Sequence, residues 1–268
     1  MASFQAPNDV SNADPLVCSE VNPPKTDVLP SGSSASSQPS SQSSSGTETH
    51  ALHEPLVFRQ LELCDRSELQ KIHEECFPVR YNAKFFDNAV KNVLGDGRPL
   101  FSHVACLPPP PPSTDPPKIT GCIISQFQSS IKYAHLNLLS PSTLQSHPLI
   151  MYIMTLATTE DYRRTGLASL LLQKLIQNAT SNRNCGLVYL HVITYNTSAI
   201  KFYEKNGFQR VAQCEGYYLI DGVSYDSYLY CLYINGGEPS ESWLDSVESL
   251  VDKFADWLDW GVKKAFNV

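Results

Sequence analysis

The sequence lacks the features that mark several large classes of protein. Its net charge is −7, with 20 basic against 27 acidic side chains, so it has no basic excess to neutralise nucleic-acid phosphates. It contains no apolar run of about 18 residues, the length that a membrane-spanning helix requires. Its first residues lack a basic stretch followed by an apolar one. We therefore expect a protein that neither binds nucleic acid, nor enters the secretory pathway, nor spans a bilayer.

The eight cysteines include no C-x-x-C pair, which argues against a structural zinc site. His73 and Cys76 are spaced as H-x-x-C, and so are His103 and Cys106. The second pair lies on a predicted strand, where residues three apart point to opposite faces. We therefore predict no metal, and we interpret the cysteines as reduced thiols in a cytosolic protein.

Composition divides the chain into three parts. Residues 1–54 are rich in Ser, Pro, Gln, Asn and Thr, and we expect them to form a disordered arm. Residues 55–237 form the predicted folded domain, and residues 238–268 an amphipathic tail. A proline-rich insert at residues 108–117 favours polyproline II. We interpret the insert as a stiff spacer, and the alternative is a docking site for SH3 or WW domains.

Hydrophobic periodicity predicts strands that alternate with helices in the folded domain. Asp65 is expected to cap the first helix, and Phe77 with Pro78 to end it. Such an order predicts an α/β fold, with a mixed sheet covered by helices on both faces. The predicted strands are residues 56–61, 100–107, 119–127, 149–157, 187–193, 208–214 and 225–234, and the predicted helices residues 66–76, 83–94, 166–179 and 198–205.

A polar turn follows the buried strand 149–157 and leads into a helix. The segment Arg163-Arg164-Thr165-Gly166-Leu167-Ala168-Ser169 carries the pattern R-x-x-G-x-A. Unpaired N–H groups at a helix N-terminus attract a pyrophosphate, and small residues let it approach the backbone. By itself this pattern is weak, because an Arg pair before a helix is commonly a solvated turn.

A second motif, about thirty residues later, strengthens the interpretation of this turn as an anion-binding site. Asn196, Ala199, Phe202-Tyr203 and Gly207-Phe208 follow the spacing N-x-x-A-x-x-F-Y-x-x-x-G-F. Together the two motifs resemble the signature of the GNAT acetyltransferases. The resemblance implies the GNAT fold, a mixed and mostly antiparallel seven-stranded sheet, with acetyl-CoA as cosubstrate.

The resemblance also implies where acetyl-CoA binds. In that family the strand before the turn is bulged and parts from the next strand, so that its backbone pairs with the pantetheine arm. The implied cofactor-binding residues are Leu156, Ala157 and Thr158 for the pantetheine arm, Arg163, Arg164, Thr165, Gly166, Leu167, Ala168 and Ser169 around the pyrophosphate, Asn196 near the thioester, and Tyr203 beside the sulfur. Without the family, Tyr203 is a core aromatic.

Three further stretches are similar to those of protein N-alpha-acetyltransferases. Residues 77–82 resemble the loop that clamps the first residues of a peptide, residues 189–192 the strand that carries a catalytic histidine, and Tyr217-Tyr218 an opposing tyrosine wall. Residues 232–237 with the tail resemble the Golgi-associated NatF group, whereas the NatE group shares the clamp loop but is not expected to carry the tail. The resemblance covers about residues 56–237 and, more loosely, the tail.

This closer resemblance assigns roles to individual residues. It makes Tyr152 and His191 the catalytic bases, acting through an ordered water. On the residues alone, a strand histidine is more often a hydrogen-bonded core residue, and a strand tyrosine is usually packing. The implied peptide-binding residues are Phe77, Pro78, Val79, Tyr81, Met154, Tyr217 and Tyr218.

The implied activity is transfer of acetyl from acetyl-CoA to the N-terminal α-amine of proteins. The expected substrates begin with Met followed by an apolar residue and include membrane proteins. The open alternatives are acetylation of histone or other lysines, a NatE-like specificity, and an acetyl-CoA-binding module without turnover. The presence of both Tyr152 and His191 argues against the last.

The tail shows one apolar helical face from Glu241 to Phe266, with residues recurring at three and four. Its tryptophans and phenylalanines favour a headgroup interface, so we expect peripheral attachment to the cytosolic face of the Golgi membrane. The polar face is acidic, which favours the alternatives, docking onto the domain or dimerisation.

Overall fold

The computed structural model describes residues 56–109, 112–113, 116–136 and 138–240. The predicted arm and the predicted amphipathic helix of the tail lie outside these residues. In chain order, the described elements are β1 (Val57–Arg59), α1 (Arg66–Cys76), α2 (Ala83–Val90), β2 (Leu100–Leu107), β3 (Lys118–Ser129), α3 (Pro141–Ser146), β4 (Leu149–Thr158), α4 (Leu167–Ser181), β5 (Cys185–Ile193), α5 (Thr197–Lys205), β6 (Gln209–Ile220) and β7 (Val223–Tyr233).

The strands form one sheet in the order β1-β2-β3-β4-β5-β7-β6. Neighbouring strands are antiparallel except β4 and β5, which run parallel. Parallel neighbours need a crossover connection, and α4 provides it. The predicted seven-stranded, mixed and mostly antiparallel sheet of the GNAT fold is therefore confirmed.

Helices cover both faces of this sheet. On one face, α1 and α2 contribute Leu69 and Phe86 to a cluster that includes Tyr152 of β4. On the other face, α4 contributes Leu171 to a second cluster that includes Ile153. Successive residues of a strand point to opposite faces, so β4 supplies both clusters in alternation. None of the helices in the described part of the chain is long and apolar enough to cross a membrane.

A bulge interrupts the pairing of β4 with β3. Ile124 pairs with Thr155, but the next residue, Ser125, pairs with Ile153, so Met154 has no partner on β3. The extra residue resets the alternation of faces. As a result both Met154 and Thr155 face α1, where Met154 joins the core and Thr155 contacts a helix side chain.

The start of α1 differs from the prediction that Asp65 caps it. Asp65 occupies the N-cap position, but its side chain makes no capping hydrogen bond. Its carboxylate instead accepts hydrogen bonds from Arg59 at 2.6 and 2.8 Å and from the backbone N–H of Glu62 at 2.8 Å. A bidentate guanidinium is the stronger partner, and the sequence does not show that β1 brings it there.

Three boundaries also differ from the predicted ones. α2 ends at Val90 rather than Leu94, and Asn92 then adopts a left-handed backbone with φ 56°. β6 continues to Ile220, six residues beyond the predicted end, so Tyr217 and Tyr218 lie within a strand. The stretch before β4, for which no helix or strand was predicted, contains a 3₁₀ helix, Ser130–Leu136, and α3.

Candidate active site

The sheet opens between its two parallel strands. The pairing of β4 with β5 ends at Tyr152 and Tyr189, yet β4 continues to Thr158 and β5 to Ile193. Beyond that point each strand keeps its other neighbour, β3 or β7. The facing edges of Leu156, Ala157 and Thr158 thus have no partner strand among the described residues. Backbone groups on such an edge must pair with something, and an extended amide-containing ligand can supply partners.

The turn after β4 leads into the N-terminus of α4. Thr165 donates from its hydroxyl to the carbonyl of Tyr162 at 2.7 Å, which closes the turn. Gly166 then takes the N-cap position with φ 92°, and a β-carbon added there would meet no heavy atom within 4 Å. Without a capping side chain, the N–H groups of Leu167, Ala168 and Ser169 face this open space. They form a site for an anion at the positive end of a 15-residue helix.

The two arginines of the turn differ in their surroundings. Arg163 is half-buried beside Cys76 at the end of α1, where burial raises the pKa of the thiol and the guanidinium opposes that rise. Arg164 is exposed and has a left-handed φ of 65°, a conformation uncommon outside glycine. Arg163 therefore ties the turn to α1, and Arg164 is the arginine open to an incoming phosphate.

The two predicted catalytic residues lie together where the strands part. The ring centroids of Tyr152 and His191 are 5.9 Å apart, edge to face, and Tyr189 completes the group at 4.7 Å from Tyr152. On its other side His191 stacks on Tyr217 at 4.1 Å. All but Tyr217 are buried. The site is therefore an aromatic chamber around one imidazole.

Burial lowers the pKa of His191 to about 3. Its Nδ1 has no hydrogen-bond partner among the described residues. The imidazole is therefore neutral at physiological pH, which is the state in which it can accept a proton. Desolvation is the cause of this low pKa. Water or a polar substrate that enters the chamber would therefore favour the charged imidazolium of His191 and raise its pKa.

The predicted peptide-binding residues lie on three segments, the loop after α1, strand β4 and strand β6. Phe77 and Met154 are buried in the cluster that contains Tyr152, and Tyr81 packs against it. Pro78 and Val79 are half-buried in the loop between α1 and α2. From the opposite element, Tyr217 and Tyr218 meet at 4.8 Å and 88°.

An irregular stretch of β6 gives the two tyrosines their positions. The pairing of β6 with β7 shifts register between Cys214 and Tyr218, and Gly216 within this stretch has φ 60°. The N–H of Gly216 is held by the carboxylate of Asp226 at 2.9 Å. The local bulge turns Tyr217 onto His191 while Tyr218 stays buried.

The structure places Tyr203 away from the two catalytic candidates and shows Asn196 as a helix cap. Tyr203 is buried in the cluster under α4 and α5, on the opposite face of the sheet from Tyr152, and packs against Phe208 at 5.4 Å. Asn196 caps α5, because its side-chain oxygen accepts from the N–H of Ala199 at 3.1 Å. Their predicted roles next to the thioester and sulfur stay predictions.

Sequence reasoning missed His73 and Thr155. His73 is buried among the aromatic rings of the clamp, and its Nε2 lies 3.3 Å from the hydroxyl of Thr155 on the β4 bulge. The sequence did offer a signal, because His73 lies one turn after Leu69 on the apolar side of α1. Its H-x-x-C spacing with Cys76 was considered only for metal binding, for which no site was predicted, and the described residues contain no cluster that could hold a metal.

A groove of about 890 Å³ runs along the outer side of α4. It begins at Thr165 and Gly166 of the turn, continues past Leu170 and Ile176, and reaches Asn206 after α5. None of the predicted catalytic or peptide-binding residues lines it. The groove therefore adjoins the anion site and lies apart from the aromatic chamber.

Known proteins are similar to this chain in sequence or in fold. Histone acetyltransferase MCC1 of Arabidopsis thaliana is 27% identical over 220 residues, 78% of this chain and 87% of that protein. N-alpha-acetyltransferase 60 of Xenopus tropicalis is 29% identical over 194 residues, 70% of this chain and 74% of that protein.

Among solved structures, Arabidopsis thaliana NAA60 in complex with a bisubstrate analogue is 30% identical. It covers 68% of this chain and 99% of its own, with a TM-score of 0.59, and the same protein has been solved with acetyl-CoA. The model of the acetyltransferase (GNAT) family matches residues 67–208. Because this match spans more than half of the sequence, the chain belongs to the acetyltransferase (GNAT) family.

Proposed function

We propose that this protein transfers the acetyl group of acetyl-CoA to the N-terminal α-amine of other proteins. The observation that carries the proposal is the opening between β4 and β5, which leads from the anion site at Gly166 to the chamber of Tyr152 and His191. Relatives named N-alpha-acetyltransferase 60, and a solved relative that holds a bisubstrate analogue, support it. No metal takes part in the proposed reaction.

In this proposal the two faces of the sheet serve different steps of the reaction. The α-amine enters on the α1 face and loses its proton, through a water, either to the neutral imidazole of His191 or to Tyr152 in its phenolate form. Its nitrogen attacks the thioester carbon, and backbone N–H groups near Leu156 stabilise the oxyanion. The C–N bond forms and the C–S bond breaks. The coenzyme thiolate then leaves and takes a proton from Tyr203 on the other face.

The chamber favours an apolar first residue. Phe77, Val79 and Met154 offer carbon atoms to the first side chain, and the hydroxyls of Tyr217 and Tyr218 can bond the peptide backbone. For the second position the support is the resemblance to protein N-alpha-acetyltransferases, which implies an apolar residue there. We therefore propose substrates that begin with Met followed by an apolar residue.

A peptide panel tests this function. Peptides that begin Met-Leu, Met-Lys, Ser and Ala, each with one internal lysine, are incubated with acetyl-CoA, and the acetylated position is located by fragmentation in a mass spectrometer. We expect acetylation of the α-amine, fastest for Met-Leu. An N-terminally blocked Met-Leu peptide is the control and should stay unmodified. Acetylation confined to lysine would contradict the proposal.

Lysine acetylation of histones is the second candidate, because one relative is named a histone acetyltransferase. A lysine side chain would have to reach the chamber from the middle of a peptide, with no N-terminal residue for the aromatic side chains to hold. The blocked peptide in the panel decides between the two activities, since it offers a lysine and no α-amine.

We also propose that the protein works at the cytosolic face of the Golgi membrane and that its substrates include membrane proteins. The support is the amphipathic pattern of residues 241–266 and the similarity of the tail to that of the NatF group. The last described residues lie beside α3, where the carbonyl of Glu238 accepts from the N–H of Ser140 at 3.0 Å. The described part of the chain therefore ends beside α3, at the end of the sheet opposite the turn that follows β4.

A further inference from the structure

His73 is buried where α1, β4 and the aromatic rings of the peptide clamp meet. Its Nδ1 lies 2.8 Å from the carbonyl of Leu69, an acceptor, so Nδ1 carries the proton. Its Nε2 is then an acceptor, and the hydroxyl of Thr155 donates to it at 3.3 Å. Burial lowers the pKa of His73 to about 4, which keeps the ring in this neutral form. The imidazole therefore connects α1 to β4 in one defined orientation.

The ring of His73 is also the centre of the peptide clamp. Four aromatic rings surround its centroid, at 5.0 Å for Phe77, 5.2 Å for Tyr81, 5.4 Å for Phe85 and 5.5 Å for Phe86. Phe77 and Tyr81 are both predicted to contact the first residue of the substrate. A rotation of the imidazole would displace both of them, because packed rings leave no space to absorb it.

Thr155, the partner of His73, lies directly after the bulge at Met154. The bulge sets the path of the backbone to Leu156, which faces the opening for acetyl-CoA. The hydrogen bond of Thr155 to His73 therefore joins the strand that positions the acetyl group to the rings that hold the peptide. The donor is a side chain of β4 and the acceptor a side chain of α1. A second hydrogen bond between these elements, from Cys76 Sγ to the carbonyl of Thr158 at 3.4 Å, lies at the end of α1 and does not involve the bulge.

We propose that His73 and Thr155 are a positioning pair that couples the bulge of β4 to the peptide clamp and thereby sets the preference for an apolar first residue. The inference rests on the proposed function for its substrate. Neither side chain touches the reacting atoms. The pair acts by fixing Phe77 and Tyr81 at one distance from the acetyl group.

Three variants test the coupling. Thr155→Val keeps the shape and removes the donor, which leaves the buried Nε2 of His73 without its hydrogen bond. Thr155→Ser restores the hydroxyl. Thr120→Val is the matched control, because Thr120 is equally buried and donates to the carbonyl of Ala105 at 3.0 Å, away from the clamp.

We expect Thr155→Val to raise the peptide KM about 10-fold and to reduce the preference for Met-Leu over Ala-initiated peptides by a similar factor. The affinity for acetyl-CoA should change less than about twofold, and amide hydrogen exchange should rise in residues 77–82. Thr155→Ser should recover at least half of each change. Thr120→Val should lower thermal stability without altering the preference or the exchange of the loop.

Two results would overturn the coupling. One is that Thr155→Val and Thr120→Val lose stability alike and keep the same preference and loop exchange, which would make the hydrogen bond merely structural. The other is that Thr155→Val weakens acetyl-CoA binding as much as peptide binding. If the unmodified protein acetylated no N-terminus, the proposed function would fail. The exchange data would still test the coupling itself. A rise of amide exchange in Thr155→Val confined to residues 77–82 would support it, and no rise there would contradict it.

Discussion

At the scale of single residues, the hydroxyl of Tyr152 and the imidazole of His191 are the groups of the aromatic chamber that we expect to accept a proton. We expect Tyr152→Phe and His191→Ala each to lower turnover by about 10²- to 10⁴-fold, because a general base is lost. The acetyl-CoA affinity should stay within a few-fold, since neither side chain belongs to the turn at Gly166. Steady-state rates with calorimetry on the same samples check this. Full turnover in either purified variant would remove that residue from the mechanism.

The buried state of His191 also predicts the response of activity to pH. Its pKa of about 3 lies below the value of about 6.5 in an unfolded chain, so the folded protein keeps the ring neutral from well below pH 6 upward. The rate kcat/KM should therefore rise with pH through the pKa of the peptide α-amine, near 8, with no break near 6.5. A pH–rate profile measures it. A break near 6.5 that disappears in His191→Gln would contradict the low pKa.

At the scale of elements, the turn into α4 is built around a glycine. Gly166 has φ 92° and open space where a side chain would be. Gly166→Val should fill the space of the pyrophosphate and weaken acetyl-CoA binding about 10-fold or more, with turnover at saturation less affected. Gly97→Val is the matched control, because Gly97 has φ 83° and the same open surroundings in another turn.

Titration calorimetry of the two glycine variants separates backbone strain from a lost site. Both should lose thermal stability, since a β-branched residue is strained in the left-handed region. Only Gly166→Val should lose affinity. Unchanged binding by Gly166→Val would show that the pyrophosphate does not lie on this turn.

The sequence allowed the core elements to be predicted because their signals are local. β2 and β4 are apolar runs, and α4 has a clear helical period, so their positions agree with the structure to within a few residues. β6 was predicted too short because residues 215–218 pair irregularly around Gly216. Alternation, the usual sign of a strand, is lost at such a bulge.

The candidate site was predictable only in part, for a related reason. Motifs pointed to Gly166, Tyr152 and His191, each of which the structure places at the opening of the sheet. The link between His73 and Thr155 joins residues 82 positions apart, and no local pattern encodes such a contact. The side-chain partner of Asp65 was missed in the same way.

At the scale of the whole molecule, the proposal gives the domain and its tail separable tasks. We expect deletion of residues 240–268 to release the protein from membranes while the remaining domain still acetylates peptides. Fractionation of cells and flotation with liposomes measure binding, and the peptide panel measures activity. A truncated protein that stays on membranes, or a full-length protein that never binds liposomes, would contradict peripheral attachment through the tail.

The opening between β4 and β5 has a thermodynamic consequence for the folded state. We expect acetyl-CoA to occupy this opening and to hydrogen-bond the exposed edge of β4. The opening exists only in the folded protein, so the ligand binds the native state and not the unfolded chain. By mass action the ligand then adds about 2.7 kcal/mol to the free energy of unfolding at a hundred times its dissociation constant. For a domain of this size that shifts the melting temperature by about 5–10 °C. Thermal scans with increasing acetyl-CoA should show the rise, and Gly166→Val should need proportionally more ligand. In a cell, the supply of acetyl-CoA would then govern how long the protein persists as well as how fast it works.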